Sequence, residues 1–197
     1  MTTLSTRDQI IAAADRLFYE HGFESTSFAD IAQAVHISRG NFYYHFKTKD
    51  DILAEVIAAR VNKTLGMLAG LSAAGATPQE RIRDFIHILL RNKAAIQNYG
   101  CPVGTLCAEL AKLEHASRDE AAALFTLFRD WLREQFEQLG CGAKSDVLAM
   151  HLLGRSQGVA TLANAFHDET YIQYEVQQLC DWLDEQAAQA SRIPPPV

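Results

Sequence analysis

Arg39, Gly40, Asn41, Tyr43 and Tyr44 share one short stretch, and their types suit the recognition of a nucleic-acid duplex. Arginine can pair two donors with the edge of guanine, and asparagine can pair a donor and an acceptor with adenine. A glycine omits a side chain where backbone must come close, and tyrosine hydroxyls reach phosphates or base edges. Between Ile31 and Lys49 there is no Asp or Glu, whereas Arg39, Lys47 and Lys49 are cationic. The whole chain carries a formal net charge of -6, so a local absence of acid creates an attractive site on an otherwise repulsive molecule.

Two short helices joined by a tight turn would position these side chains. Ser27 and Asp30 have the spacing of a capping box, and Phe28, Ile31, Ala32 and Val35 then repeat on one apolar face. Val35-His36-Ile37 forms the turn. Ser38 caps a second helix that runs to about His45. Phe42 and Phe46 lie one turn apart and face inward, which leaves Arg39, Gly40, Asn41, Tyr43 and Tyr44 outside. A solvated helix in an ordinary bundle has no need for caps, core aromatics and charge to agree in this way.

Around this unit the chain resembles the tetracycline-repressor-like (TetR/AcrR) transcriptional regulators. The resemblance rests on Leu17-Phe18, His21-Gly22-Phe23, Thr26-Ser27, Asp30-Ile31-Ala32, Ser38 and the run from Phe42 to Lys49, FYYHFKTK. It covers about the first quarter of the chain. His36 stands where the family usually has glycine, and histidine tolerates the left-handed conformation at a cost of about 1 kcal/mol. By resemblance, Arg39, Asn41 and Tyr43 are base readers, and Thr26, Tyr44, His45 and Lys49 hold phosphates. Ser27, Ser38 and Gly40 complete the expected DNA-binding set.

The 197-residue, 21.9 kDa chain is 48% hydrophobic and 21% charged, ordinary for a soluble globular protein. Cys101, Cys107, Cys141 and Cys180 form no C-x-x-C pair, the pattern of a reduced cytosolic protein. MTTLSTRDQ has no apolar signal core, and a cytoplasmic location is expected. Met1 to Thr6 reads as a short arm. A helix follows from about Arg7 and is stopped by Gly22 as a left-handed cap. Thr48 with Asp51 caps a long helix carrying Ile52, Leu53, Val56, Ile57 and Val61. A break is expected at Gly70 to Ala76. Thr77-Pro78-Gln79-Glu80 then restarts a helix that runs to Asn98. Further helices are expected from Pro102 to about Leu113, from Arg118 to Leu139, from Ser145 to Phe166, and from Thr170 to about Gln189. The fold is all-α with about nine helices. It divides into a DNA-binding domain, 1–48, an effector-binding and dimerisation domain, 49–190, and an extended proline-rich tail, 191–197.

Two interfaces are expected in the second domain. The helix from Ser145 to Phe166 is apolar round most of its circumference, with small residues at Gly154 and Gly158. With Leu162, and with Ile172, Val176, Leu179 and Leu183 of the last helix, these residues fit a monomer core and a dimer seam equally by spacing. The resemblance implies the seam, a homodimer and a palindromic operator of double-stranded DNA. Phe85, Leu89, Tyr99, Cys101, Phe128, Trp131, Gln157 and Phe166 are either core or the lining of a small-molecule effector pocket. The resemblance implies the pocket, and with it a repressor released from its operator by an effector. The alternative is a regulator that senses electrophiles or oxidants through Cys101, whose sulfur stands before Pro102 at a helix start. The chain has no nucleophile motif, no phosphate-cradling glycine loop and no His-x-x-x-His. No enzyme activity, metal or cofactor is expected.

Overall fold

A computed structural model describes residues 5–75 and 77–192. The described residues are helical without strands. Helix α1 spans Thr6–His21, α2 Phe28–Ala34, α3 Arg39–His45 and α4 Lys49–Ala74. They are followed by α5 (Pro78–Ile86), α6 (Ile88–Arg91), α7 (Lys93–Tyr99) and α8 (Pro102–Lys112). Helix α9 is Arg118–Gln138, α10 Ser145–Phe166 and α11 Glu169–Ala190, with a 3₁₀ turn at Gly142–Lys144. Counting α5 to α7 as one interrupted path gives the nine helices expected from the sequence.

Local chemistry explains most of the boundaries. Ser5 caps α1 through its side chain, so the helix begins at Thr6, inside the expected arm; residues 1–4 lie outside the described residues. Gly22 ends α1 with φ +92° and ψ 156°, a glycine-specific conformation that is extended rather than left-handed helical. The Ser27–Asp30, Thr48–Asp51 and Thr77–Glu80 boxes all form. His36 takes φ +56° in the turn, so the histidine does adopt the left-handed conformation that the turn requires.

Two expected boundaries move. The helix expected to stop at Gly70 continues to Ala74, because Leu68 and Leu71 on either side of Gly70 are buried and anchor it. Packing outweighs the roughly 1 kcal/mol propensity cost of the glycine. The single helix expected from Thr77 to Asn98 is broken twice. The Arg91 guanidinium donates to the Asp84 carbonyl at 2.8 Å, and the Asn92 amide donates to the Ile88 carbonyl at 3.1 Å. The Arg91 side chain thus takes a ladder carbonyl at the first interruption, and the Asn92 side chain shares the Ile88 carbonyl with its own backbone N–H at the second.

The chain forms two compact units. One takes the chain up to Lys63 together with Pro102–Leu124, and the other takes Thr64–Cys101 and the chain from Phe125 onward. The expected boundary after residue 48 marks the start of α4, whereas the units part within that helix. Three short helices offer too little apolar face to close a core alone. Ile52, Leu53, Val56 and Ile57 of α4, Leu106 and Leu110 of α8, and Ala121 of α9 complete the core built by Ile10, Phe18, Ile31, Phe42 and Phe46. In the other unit Ile82, Phe85, Ile86, Leu132, Phe136, Leu152, Ile172 and Leu179 lie in one cluster. Of the expected tail, Ser191 and Arg192 form a turn, and residues 193–197 lie outside the described residues.

Candidate nucleic-acid interface

Helix α3 owes its position to its buried side. Phe42 and Phe46 are almost fully buried, and the Phe28 ring packs on Phe42 with centroids 5.1 Å apart. The capping box fixes α2: the Ser27 N–H donates to Asp30 Oδ2 at 2.8 Å, and the Asp30 N–H donates to Ser27 Oγ at 3.2 Å. Ser38 Oγ accepts from the Asn41 N–H at 3.3 Å. The Ser27 hydrogen bonds hold the Asp30 carboxyl below the ordinary carboxylate range, and those of Thr48 do the same for Asp51. A depressed carboxyl stabilises the fold above its unfolded pKa, and that contribution is lost only as pH falls through the lower folded value.

The outer side of α3 is open. Arg39, Gly40 and Asn41 are exposed, and among the described residues the Arg39 and Asn41 side chains make no hydrogen bond or ion pair. Nothing lies within 4 Å of a Cβ built on Gly40. Tyr43 is partly held by its ring, edge-on to Phe28 at 5.6 Å. Tyr44 is 78% exposed, with the half-buried His45 ring 5.1 Å away. The Lys47 ammonium turns back onto the Tyr43 carbonyl and closes the C-terminus of α3. Ser27, Phe28, Ala32, Arg39, Phe42 and Tyr43 line a crevice of about 260 Å³ on this surface.

Two residues of the expected DNA-binding set are committed elsewhere. Thr26 is buried, and its hydroxyl donates to the Gly22 carbonyl at 2.7 Å; it secures the end of α1 and presents no donor to a phosphate. The Lys49 ammonium donates to the Phe23 and Glu24 carbonyls at 3.0 and 3.2 Å and stands 4.3 Å from the Phe23 ring centroid. From α8, the Glu109 carboxylate accepts the N–H groups of the same two residues at 2.9 and 2.8 Å. Opposite charges thus clamp both ends of the Phe23 and Glu24 peptide groups, at the corner leading into α2. The His115 ring packs on Phe23 at 5.2 Å from the other side. Glu109 had no sequence signal, because its partners lie 85 and 86 residues away.

This clamp carries a prediction. Glu109→Ala is expected to cost roughly 1.5–3 kcal/mol, since it removes two charge-assisted hydrogen bonds. Lys49→Ala is expected to lower the unfolding midpoint while leaving the salt dependence of DNA binding at the parent slope. Urea melts and salt titrations check both. A slope reduced by about one unit in Lys49→Ala would return this lysine to a phosphate.

The expected effector lining only partly assembles. Phe85 lies 5.7 Å from Phe128 and 6.0 Å from Trp131, with Leu89 buried in the same cluster. The Gln157 side chain is half-buried and Tyr99 is 37% exposed. Phe166 is 73% exposed at the end of α10, where the helix has run out of core, and it does not join this cluster. Cys101 directly precedes α8, as expected, and packs half-buried against the core of its unit. None of the four cysteines is in a disulfide, and burial pushes the thiols of Cys141 and Cys180 up. The expected seam also divides. Gly154, Gly158 and Leu162 are exposed, whereas Ile172, Val176, Leu179 and Leu183 are buried. Those four fill their own unit's core.

Residues 10–56 match a family described as bacterial regulatory proteins, tetR family. An uncharacterized HTH-type transcriptional regulator in the lacX 3′ region of Lactococcus lactis subsp. lactis is 27% identical over 168 residues, which is 83% of this chain and 86% of that one. The HTH-type transcriptional repressor DhaR of Mycobacterium sp. (strain GP1) is 23% identical over 136 residues, 68% of this chain and 65% of that one. A TetR transcriptional regulator from Legionella pneumophila superposes with a TM-score of 0.82 at 26% identity, covering 94% of this chain and 98% of the other. Residues 10–56 thus carry the capped helix-turn-helix of tetR-family bacterial regulators, with its open, acid-free outer face, and the chain over most of its length is similar to TetR-type DNA-binding transcriptional regulators.

Proposed function

We propose that this regulator is a homodimeric repressor that reads a palindromic operator with α3 and leaves it when a small molecule binds the unit containing Trp131. The observation that carries the reading is the open face of α3, where the Arg39 and Asn41 side chains have no partner among the described residues. Arg39, Asn41 and Tyr43 read bases there. Tyr44 and His45 hold phosphates, and the N-termini capped by Ser27 and Ser38 offer backbone donors beside them. The repressor direction is supported by the relative from Mycobacterium, which is named a repressor.

Dimerisation is supported by the exposed stripe of α10. Val147, Met150, Gly154, Gly158, Leu162 and Phe166 recur at helical spacing and are all exposed, as is Tyr174 on α11. Such a contiguous apolar face is what a symmetric helical seam covers. The ligand response is supported by the aromatic cluster of Phe85, Phe128 and Trp131 and by α4, one unbroken helix from Lys49 to Ala74 that runs on from the reading head. Selection of bound duplexes from a random pool, repeated with an extract of bacterial metabolites, tests the reading. A palindrome enriched in the first selection and lost in the second is expected. Enrichment that no extract disturbs would remove the ligand-responsive part.

A further inference from the structure

Within the second unit, α4 and α9 border a shallow, largely open groove of about 500 Å³. Leu65, Leu68 and Ala69 of α4 line it with Leu127 and Trp131 of α9. Leu65 is 47% exposed, so apolar surface is left open here. Trp131 is only 9% exposed, and its indole N–H donates to Ser72 Oγ at 2.8 Å, so the indole gives the groove a small apolar surface and no donor. Asp130, Glu134 and Glu137 stand on the rim with a single cation, Arg133. That guanidinium is turned to its neighbours, 3.4 Å from Asp130 and 3.8 Å from Glu137. Glu134 accepts one amide N–H from Gln138 at 3.1 Å and keeps lone pairs to spare. The rim therefore has a surplus of negative charge and acceptors above an apolar floor.

We infer that this groove binds a small organic cation with an apolar body, such as an aryl or alkyl ammonium ion. The apolar body covers Leu65, Ala69 and Leu127, and Glu134 and Glu137 neutralise the charge from the rim. A carboxylate or phosphate ligand would meet three carboxylates and find its one counter-ion occupied. The inference rests on the ligand-responsive reading and gives that ligand a chemical class. The contacts on Leu65 and Ala69 also put the ligand on α4, the helix that begins beside the reading head.

Calorimetric titration of the full chain with (1-naphthylmethyl)trimethylammonium, 2-naphthylmethanol and 2-naphthoate tests the inference. The ammonium ion is expected to bind, with the alcohol and the carboxylate about tenfold weaker or undetectable. E134Q/E137Q is expected to weaken the ammonium ion about tenfold, and Ala69→Trp, which fills the groove, to abolish its binding; thermal melts of each variant confirm folding. The inference is overturned if the alcohol binds as tightly as the ammonium ion, or if both variants bind it like the parent. Operator anisotropy in the same samples separates the two proposals. Binding of the cation without DNA release upholds the groove and counts against release by ligand. DNA release by another metabolite in a protein that ignores the cation does the reverse.

Discussion

Arg39→Ala is expected to lower operator affinity by roughly 1–3 kcal/mol per reading head, and by about twice that in a dimer whose two heads both lose the side chain. Arg39 is exposed at the first position of α3, directly after its Ser38 cap, and has no partner within the protein among the described residues. Its removal therefore leaves no orphaned group in the protein, and the fold should melt as the parent does. The loss should be selective: preference relaxes at one base position per half-site, while affinity for a scrambled duplex falls only by the share of one phosphate-range cation. Asn41→Ala should relax a different position, one that favours adenine. Competition binding with operators changed one base pair at a time measures this. Equal losses on the operator and the scrambled duplex would take the base-reading role from both residues.

Gly158→Glu is expected to turn the protein into a monomer and to weaken operator binding about 10²–10⁴-fold, the range lost when two linked heads become independent. Nothing lies within 4 Å of a Cβ built on Gly158, so the substitution leaves the isolated chain undisturbed. In a seam, a carboxylate at a close helix contact would be buried without a partner, at a cost of several kcal/mol. Sedimentation at micromolar concentration should show a dimeric parent and a monomeric variant, both with the parent's helical content. A monomeric parent, or a variant that stays dimeric, would move the interface away from this face of α10.

The reading head was largely legible in the sequence because its determinants are local. A capping box needs residues three apart, and the apolar face of α2 and the inward pair Phe42 and Phe46 need only helical spacing. The strain of His36 follows from its place between two helices four residues apart. What escaped depends on distant partners. Lys49 looked like a phosphate ligand because it is a cation beside the reading helix, yet its ammonium donates to the Phe23 and Glu24 carbonyls. Thr26 looked like another, yet its hydroxyl closes the end of α1 on the Gly22 carbonyl. Neither commitment has a local pattern, and Glu109 on α8, which completes the clamp, has none at all.

In the second unit, periodicity located α9, α10 and α11 to within one residue but left their faces ambiguous. Ile172, Val176, Leu179 and Leu183 make as good a seam as a core by spacing, and they are core. The exposed stripe lies on α10, a helix apolar on too many sides for a moment to orient it. Aromatic spacing likewise grouped Phe166 with Phe85 and Trp131, although Phe166 sits where α10 has passed the end of the core. The groove between α4 and α9 was hidden because its acidic rim reads in sequence as an ordinary solvated helix face.

The central claim is that the outer face of α3 meets the DNA, and NMR mapping of the labelled protein against its selected operator tests it most directly. The account predicts that shift changes and intermolecular contacts centre on Ser38 to His45, with the Arg39 and Asn41 side chains showing contacts to base protons. The side chains of Thr26 and Lys49 should keep their protein-bound signatures. Perturbations centred on another surface, with Arg39 and Asn41 unchanged on saturation with operator, would contradict it.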